Sequence, residues 1–420
     1  MKGEIHMIAQ TPPMGWNSWD CYGAAVTEET VLRNADYMAR FLKPYGWEYV
    51  VVDVQWYQPT AVSFSYVPLA PLSMDDFGRL IPAENRFPSS AGGNGFRPLA
   101  DKVHALGLKF GIHIMRGLPR MAAHMNLPVY GSSWTCGQAA NPYDICDWNP
   151  DMYGLECNQD AAKAYYDSIF CLYASWGVDF VKCDDIAREY PRCEKEIELI
   201  SEACRNCGRE MVLSLSPGPA PLEKAEHLKH FANMWRITED FWDDWHLLKN
   251  MFERTEKWCI HAAPGHWPDA DMLPIGALRQ CTDPDSVTRF TRPEQRTMMT
   301  LWCMARSPLM IGSELTKMDD FTLSLLTNAE LLAIGKESFC GHPLYTREDA
   351  AAWIAPRQDG RGLYAALFNL SDKPKVLSLT AKELSYDQFS AFELWTGARV
   401  EGDQLSIVLE PHDSAVWRIR

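Results

Sequence analysis

The sequence predicts an α/β fold in which a (β/α)8 barrel is followed by a small antiparallel β-sandwich. The chain has 420 residues, enough for a large barrel with an appended domain. Over roughly the first 330 residues, apolar strand-like runs alternate with helical stretches, as in repeated βα units. From about Gly341 the pattern changes to short alternating runs divided by turns. We therefore expect a barrel over residues 1–335 and a sandwich over residues 341–420.

Eight runs rich in β-branched and aromatic residues are the expected barrel strands. In chain order they are Met14–Trp16, Glu48–Val54, Leu108–Met115, Asp179–Cys183, Met211–Leu215, Met234–Thr238, Gly265–Leu273 and Ser307–Ile311. Polar and acidic residues cluster where these strands end, which is where barrel active sites are built.

Apolar residues at three-to-four spacing predict helices between the strands, for example Thr27–Phe41, Asp160–Trp176 and Glu194–Cys207. Two segments rich in Pro, Gly and aromatic residues, Tyr57–Gly95 and Leu118–Asp151, are long for simple connectors. We expect them to be loops that form the walls of a pocket.

The C-terminal part contains six strand-like runs and no plausible catalytic cluster. Turn pairs such as Asp359-Gly360 and Thr396-Gly397 separate them. About 80 residues suffice for an independent core, so we predict an antiparallel sandwich. Its expected strands are Ala351–Ala355, Leu363–Phe368, Lys375–Leu379, Ser390–Leu394, Leu405–Leu409 and Ala415–Ile419.

Composition excludes several classes of partner. The formal net charge of -15 disfavours nucleic acid and anionic membranes, both of which reward Lys and Arg, so we expect a neutral small molecule. Met1–His6 lacks the apolar run of a signal peptide, and no run of apolar residues is long enough to span a membrane. The 13 cysteines are odd in number and scattered, which favours free thiols. We expect a cytoplasmic protein.

Metal and cofactor sites are not predicted. Cys204 and Cys207 form a single C-x-x-C without a second pair or a nearby His, which a helix end explains better than a zinc or redox site does. His266 lies near Asp269 and Asp271, where a hydrogen-bonded network is favoured over a cation site.

Two carboxylates are the leading catalytic candidates. Asp184 and Asp240 lie at the ends of predicted strands, and each is preceded by a cation, Lys182 or Arg236. Glycoside hydrolysis needs one carboxylate to attack the anomeric carbon and another to protonate the leaving oxygen. The alternative for each residue alone is a solvated turn or a helix cap.

Other polar residues compete for these roles. Asp185, Glu239, Asp243 and Asp244 are rival carboxylates, with surface or supporting positions as the alternative. His113 ends a predicted strand, where it would donate to a substrate oxygen or be a hydrogen-bonded buried histidine.

Five motifs, in the same order along the chain, resemble glycoside hydrolase family 27, the α-galactosidase and α-N-acetylgalactosaminidase family. The resemblance spans nearly the whole chain and implies a (β/α)8 barrel followed by a β-sandwich. The motifs are Thr11–Trp19, Lys182-Cys183-Asp184, Trp235–Asp240, Asp269–Leu273 and the segment from Glu294 through Trp302 to Met310.

This resemblance implies a retaining mechanism with Asp184 as nucleophile and Asp240 as general acid/base. Lys182, two residues before Asp184, points to the same side of its strand and would keep the nucleophile ionised. Asp240 must carry a proton, and its aromatic neighbours in sequence predict apolar surroundings. The residues expected at the substrate are Trp16, Asp53, Val54, His113, Lys182, Ser216 and Arg236.

The chain departs from the family at two substrate positions. Family members usually carry two adjacent Asp that grip the C4 and C6 end of galactose, whereas this chain has Asp53-Val54. Because valine accepts no hydrogen bond, Val54 would suit β-L-arabinopyranose, which is galactose without C6. Ser216 aligns with a Glu of α-galactosidases, and N-acetylgalactosaminidases place a Ser there to make room for the acetamido group. The alternative is that the Pro- and Gly-rich segment around Ser216 is simply a rigid strand-to-helix turn.

We therefore expect a metal-independent, cofactor-free retaining exo-glycosidase. Its leading substrates are α-D-galactosides, with β-L-arabinopyranosides and α-N-acetylgalactosaminides as alternatives within the family. An inactive carbohydrate-binding protein is the alternative outside it, against which the presence of both Asp184 and Asp240 argues.

Overall fold

The computed structural model describes residues 8–420, so the expected lack of a signal peptide in Met1–His6 lies outside the described residues. Eight parallel strands form the barrel, and the second to the seventh each pair with the preceding barrel strand. They are Met14–Asn17, Tyr49–Val52, Lys109–Met115, Phe180–Asp184, Val212–Leu215, Met234–Arg236, Trp267–Asp269 and Leu309–Ile311.

The first and last strands pair with each other and complete the ring. Met14 pairs with Leu309 in parallel register. The seventh strand stops at Asp269, and the contact to the eighth is made beyond it by a bridge between Leu273 and Ile311. The predicted strand Gly265–Leu273 is therefore too long, because the chain turns away after Asp269.

Helices cover the outside of the barrel and bury one face against it. The α-helices are Trp19–Tyr22, Glu28–Tyr37, Arg97–Ala105, Arg120–His124, Cys136–Ala139, Asp160–Trp176, Glu194–Asn206, Ala225–Phe231, Trp245–Trp258, Arg292–Ala305, Asp320–Leu326 and Ala329–Glu337. Short 3-10 turns occupy Gly23–Ala25, Lys43–Tyr45, Pro88–Gly93, Leu222–Lys224, Cys259–His261, Leu315–Lys317 and Lys382–Leu384, and Met38–Leu42 forms a π-helix.

The segment Leu118–Asp151 is not a plain loop. It holds two short helices and, with the residues just after it, an antiparallel sheet of the strands Leu118–Pro119, Ala140–Ile145 and Met152–Leu155. These strands are short and irregularly paired, and for that reason no clear alternation marks them in the sequence. Tyr57–Gly95, in contrast, is largely irregular.

The C-terminal part is an antiparallel β-sandwich, as predicted. One sheet has six strands and the other has two, Lys375–Thr380 and Gln404–Leu409. The spatial order of the larger sheet is His342–Thr346, Ala350–Pro356, Leu363–Asn369, Ser414–Ile419, Phe389–Glu393 and Arg399–Gly402. All six expected strands are present. The strands at the two edges of the larger sheet, His342–Thr346 and Arg399–Gly402, were not predicted.

The sandwich packs directly on the barrel. Arg296 forms a two-pronged ion pair with Asp413, at 2.9 and 2.6 Å, and Trp245 stacks on His412 with ring centroids 3.8 Å apart. Because such a bidentate pair fixes orientation as well as distance, it fixes how the sandwich is oriented on the barrel. Within residues 8–420, no helix combines the length and apolar character needed to cross a bilayer.

Candidate active site

A pocket of about 510 Å³ opens where the barrel strands end, a size suited to a small ligand. Charged side chains form one part of its wall: Asp20, Asp53, Lys182, Asp184, Arg188, Arg236, Glu239, Asp240 and Asp271. Aromatic and apolar side chains form the rest: Trp19, Phe64, Tyr66, Trp148, Pro217, Phe241, Trp242 and Met272. Phe64 and Tyr66 come from Tyr57–Gly95 and Trp148 from Leu118–Asp151, the two segments predicted to wall a pocket.

Asp184 is the last residue of its barrel strand and is held in place through both carboxylate oxygens. Oδ2 accepts a hydrogen bond from His113 Nε2 at 2.8 Å, and Oδ1 accepts one from the backbone N–H of Asp185 at 2.9 Å. Burial would raise the pKa of Asp184, but the hydrogen bond from His113 and the positive charge of Lys182 hold that pKa well below its usual range. Asp184 is therefore an ionised carboxylate with a fixed orientation.

His113 lies behind this carboxylate and does not line the pocket. It is fully buried within the strand Lys109–Met115, and that strand pairs with the one that ends in Asp184. An ionised carboxylate can only accept, so Nε2 must carry the proton that it shares with Asp184. His113 therefore donates its hydrogen bond to Asp184, the candidate nucleophile, and not to a substrate oxygen as one of the two predictions had it.

Lys182 and Asp53 form a buried ion pair beside Asp184. Lys182 Nζ lies 2.9 Å from Asp53 Oδ2, which also accepts a hydrogen bond from Asn17 at 2.7 Å. Burial opposes the charge on Lys182, but the negative charges of Asp53 and Asp184 outweigh it and raise the pKa of the ammonium group. Both charges are available to bind sugar hydroxyls, each of which can donate and accept a hydrogen bond.

Arg236 joins two further carboxylates on the pocket wall. Its guanidinium contacts Asp240 at 3.1 Å and Asp271 at 2.8 Å. Asp271 is buried, and its Oδ2 also accepts the backbone N–H of Phe241 at 2.7 Å. Burial raises the pKa of Asp271, and the positive charge of Arg236 opposes that rise. Arg236 therefore tethers the segment that carries Asp240 to the end of the seventh strand.

Asp240 differs sharply from Asp184 in its surroundings. Its side chain is 68% exposed, whereas that of Asp184 is 14% exposed. The predicted apolar surroundings are therefore wrong for this structure. Phe241 and Trp242 line the pocket, but Phe241 also packs inward on Trp302, and Trp245 stacks on the sandwich away from the pocket.

Trp16, predicted to lie at the substrate, does not line the pocket, whereas Trp19, for which no role was predicted, does. Trp16 is fully buried within its strand and donates its indole N–H to the carbonyl of Ser313 at 2.7 Å, so it does not line the pocket. Trp19 follows the strand and does line it. The sequence signal for Trp19 was its place beyond the strand end, since residues there reach the barrel mouth and residues within the strand pack against the barrel.

Two predicted specificity residues face away from the pocket. Val54 is 1% exposed and belongs to the apolar core, because it follows the inward-facing Asp53 and so points to the other side of the chain. Ser216 is buried, with its hydroxyl 3.5 Å from the carbonyl of Cys183, and the adjacent Pro217 lines the pocket in its place.

The rival carboxylates have other partners. Asp185 adopts a left-handed backbone (φ +61°) that turns its side chain to the buried Arg116, at 3.0 Å. Asp243 pairs with two arginines and Asp244 caps the helix Trp245–Trp258. Glu239 lines the pocket but pairs with Arg254 at 2.7 Å.

Sequence reasoning missed two carboxylates of the site. Asp20, in the helix Trp19–Tyr22, and Asp271 both line the pocket and are buried. Asp271 was named only as a neighbour of His266, and His266 does not line this pocket. Within residues 8–420, no group of three or more His, Cys, Asp or Glu side chains is arranged to hold a metal ion.

Comparisons with known proteins agree with this architecture. The pattern of the alpha galactosidase A family matches residues 151–337, and that of the alpha galactosidase C-terminal beta sandwich domain matches residues 347–419. Alpha-galactosidase 2 of Arabidopsis thaliana is 27% identical over 98% of this chain and 90% of its own length.

Two bacterial structures are much more similar. A family 27 β-L-arabinopyranosidase from Geobacillus stearothermophilus is 52% identical, with a TM-score of 0.95 over 98% of this chain and 96% of its own. A candidate α-N-acetylgalactosaminidase from Bacillus halodurans is 50% identical, with a TM-score of 0.89 over 98% of both chains. The eight-stranded barrel, the sandwich and these relatives together show that the chain is an enzyme of glycoside hydrolase family 27.

Proposed function

We propose that this enzyme is a retaining exo-glycosidase that removes a terminal galacto-configured pyranose, with β-L-arabinopyranosides as its preferred substrates. The observation that carries the proposal is the contrast between two carboxylates in one pocket. Asp184 is buried, ionised and fixed by hydrogen bonds, whereas Asp240 is exposed and tethered by Arg236. This contrast suits a nucleophile and a group that exchanges protons with solvent.

In the first step, Asp184 attacks the anomeric carbon and the bond to the leaving oxygen breaks. That oxygen takes the proton of Asp240, so the aglycone departs as a neutral alcohol and a glycosyl ester of Asp184 remains. In the second step, Asp240 takes a proton from water as the water attacks the same carbon and releases Asp184. Two displacements return the anomeric carbon to its original configuration.

The remaining pocket residues supply sugar binding. The Lys182–Asp53 pair presents a donor and an acceptor to vicinal hydroxyls, and Arg236 with Asp271 presents a second such pair in the same pocket. Trp19 offers an aromatic face to the C–H face of a pyranose ring. A pocket of about 510 Å³ suits a single terminal sugar, which favours exo action.

The comparison with solved structures favours the arabinopyranoside, whereas Val54 does not bear on the choice because its side chain is buried in the core and does not line the pocket. The β-L-arabinopyranosidase of Geobacillus stearothermophilus is 52% identical to this chain, and a variant of that enzyme, 51% identical, binds arabinose in its solved structure. The α-D-galactoside remains the second candidate, supported by the curated α-galactosidases at 27–29% identity.

The α-N-acetylgalactosaminide is supported less well, because Ser216 turns to a backbone carbonyl and not to the pocket. All 13 cysteines are free thiols, and we propose a reducing, cytoplasmic compartment on that ground.

A panel of 4-nitrophenyl glycosides tests the proposal, with Asp184→Asn as the inactive control. Wild type should turn over the β-L-arabinopyranoside with a higher kcat/KM than the α-D-galactopyranoside, and both faster than the α-N-acetylgalactosaminide. If wild type hydrolysed none of the panel, the chain would be a carbohydrate-binding protein and the proposal would fail.

Val54→Asp tests whether this position contributes to the preference, with Val54→Ala as the matched variant that adds space but no acceptor. Because Val54 is buried in the core and does not line the pocket, the ratio of kcat/KM for the arabinopyranoside and the galactoside should stay the same in both variants. The ratio is the measured quantity, because a carboxylate placed in the core lowers both rates. A swing of about tenfold or more toward the galactoside in Val54→Asp alone would show that this side chain reaches the hydroxyl on C6.

A further inference from the structure

Asp20 occupies the wall of the catalytic pocket without a role in the mechanism described above. It lies in the helix Trp19–Tyr22, which begins directly after the first barrel strand, and it follows the pocket residue Trp19. Asp20 is only 1% exposed, yet it lines the pocket. Its side chain is therefore buried within the pocket and does not lie at the rim.

The carboxyl group of Asp20 has no protein partner. Among the residues that the structure describes, 8–420, neither oxygen takes part in a hydrogen bond, and Oδ2 is shielded from solvent as well. Leaving a buried polar group without a partner lowers stability, and more so when the group is charged. A carboxyl group placed here at a cost in stability, inside a ligand pocket, suggests a partner that arrives with the ligand.

The surrounding backbone is shaped to admit this carboxyl group. Gly312 follows the eighth strand, and a Cβ atom built on it would come within 2.1 Å of Asp20 Oδ2. Any side chain at Gly312 would therefore displace Asp20. The close approach shows that the position of Asp20 is fixed by the fold of the barrel mouth and not by a free surface rotamer.

The charges around Asp20 disfavour its ionised form. The charged groups that act on it are the carboxylates of Asp53, Asp240 and Asp271 and the ammonium group of Lys182, which is already paired with Asp53. Burial raises the pKa of Asp20 well above its usual value, the charge of Asp271 adds to the rise, and Lys182 opposes it. A neutral carboxylic acid both donates and accepts hydrogen bonds.

We propose that Asp20 is a further substrate-binding residue, a neutral carboxylic acid that exchanges hydrogen bonds with a sugar hydroxyl in the pocket. This assignment rests on the proposed glycosidase function. It explains why a carboxyl group without a protein partner is retained beside the ionised Asp53 and Asp184. Those two residues supply negative charge to the site, whereas Asp20 supplies an O–H donor without adding charge.

Two variants separate a neutral from an ionised Asp20. Asp20→Asn keeps the shape, a donor and an acceptor, so its kcat/KM on 4-nitrophenyl β-L-arabinopyranoside should stay within about fivefold of wild type. Asp20→Ala keeps neither and should lose about ten- to a hundredfold. Glu314→Gln is the control, since Glu314 is buried but bonded to Arg33 and Thr316 away from the pocket. Thermal unfolding midpoints show whether each variant folds.

A kcat/KM of Asp20→Ala within twofold of wild type would overturn the assignment. A loss of kcat/KM of more than tenfold in Asp20→Asn would also overturn the assignment, because that result requires an ionised acceptor. Asp20→Asn therefore tests the assignment even if Asp20→Ala does not fold. If wild type turns over no glycoside of the panel, the proposed function fails by itself. Calorimetric binding of L-arabinose to wild type and both variants then tests the role of Asp20. Wild type and Asp20→Asn should bind with similar affinity and Asp20→Ala more weakly. Equal affinities in all three proteins, or no binding to wild type, would contradict the assignment.

Discussion

Removal of the His113 side chain tests how the enzyme prepares its nucleophile. His113→Leu deletes the donor that lies 2.8 Å from Asp184 Oδ2 and leaves the backbone N–H of Asp185 and the charge of Lys182 in place. The other ring nitrogen of His113, Nδ1, is buried and has no hydrogen-bond partner in the described part of the chain, residues 8–420, so its loss breaks no second hydrogen bond there. The variant therefore isolates one interaction.

The size of the effect follows from the kind of hydrogen bond lost. A hydrogen bond to a charged group contributes about 1.5–3 kcal/mol. Since each ~1.4 kcal/mol is a factor of ten in rate, kcat/KM should fall roughly ten- to a hundredfold. Activity needs the ionised form of Asp184, which is present above its pKa and lost as the pH falls through it. Because His113 lowers that pKa, the variant should lose activity on acidification at a higher pH than wild type.

The assay is the pH dependence of kcat/KM on 4-nitrophenyl β-L-arabinopyranoside for wild type, His113→Leu and His113→Gln. The amide of Gln reaches about as far as Nε2 and can donate to Asp184, so His113→Gln should recover much of the rate and keep the acidic limb near that of wild type. A His113→Leu enzyme with an unchanged rate and acidic limb would refute the idea that His113 orients and ionises the nucleophile. Equal losses in both variants would point to packing in place of the hydrogen bond.

Two further predictions concern residues whose roles the structure separates. Trp19→Ala should raise KM for the glycoside with little change in stability, because Trp19 lines the pocket. Trp16→Ala should lower the free energy of unfolding by about 3–5 kcal/mol, because Trp16 is buried in its strand. Kinetics and urea unfolding of both variants test this assignment, and the reverse pattern would contradict it. Arg116 is buried against Asp144 at 2.7 Å, Asp185 at 3.0 Å and Glu196 at 3.2 Å, so Arg116→Met should destabilise the fold by about 3–5 kcal/mol because it leaves these carboxylates without their cation. A urea midpoint equal to that of wild type would show that the cluster contributes nothing net.

The sequence contained most of the information about the fold. All eight barrel strands and six of the eight sandwich strands were predicted, because buried parallel strands are continuous apolar runs and sandwich strands alternate between turns. The helix Asp160–Trp176 was predicted to the residue, since apolar periodicity and Gly177 mark its length and end. The sheet inserted around Ala140–Ile145 escaped, because its strands are short and one has an irregular register.

The site was harder to predict than the fold. Asp53, Lys182, Asp184, Arg236 and Asp240 follow or end barrel strands, and strand direction alone brings them to one pocket. The remaining assignments depended on which way a side chain turns at a strand end, and neither composition nor spacing encodes that direction. Trp16 and Trp19 are three residues apart, yet Trp19 lines the pocket and Trp16 is fully buried.

Asp20 and His113 illustrate what only three-dimensional contacts reveal. His113 became a partner of Asp184 because its strand pairs with the strand Phe180–Asp184, with His113 opposite Lys182 in the register. Asp20 became notable because no group within residues 8–420 forms a hydrogen bond with its carboxyl group, and the absence of a partner has no signature in sequence.

The configuration of the first-formed sugar tests the central claim, a double displacement through Asp184, most directly. Proton NMR spectra collected in the first minutes of hydrolysis of 4-nitrophenyl β-L-arabinopyranoside distinguish the two anomers before they interconvert in water. If Asp184 forms a glycosyl ester that water then opens, the initial product is β-L-arabinopyranose, with the configuration of the substrate. Initial formation of the α anomer would mean a single displacement by water, and Asp184 would then be a base and not a nucleophile.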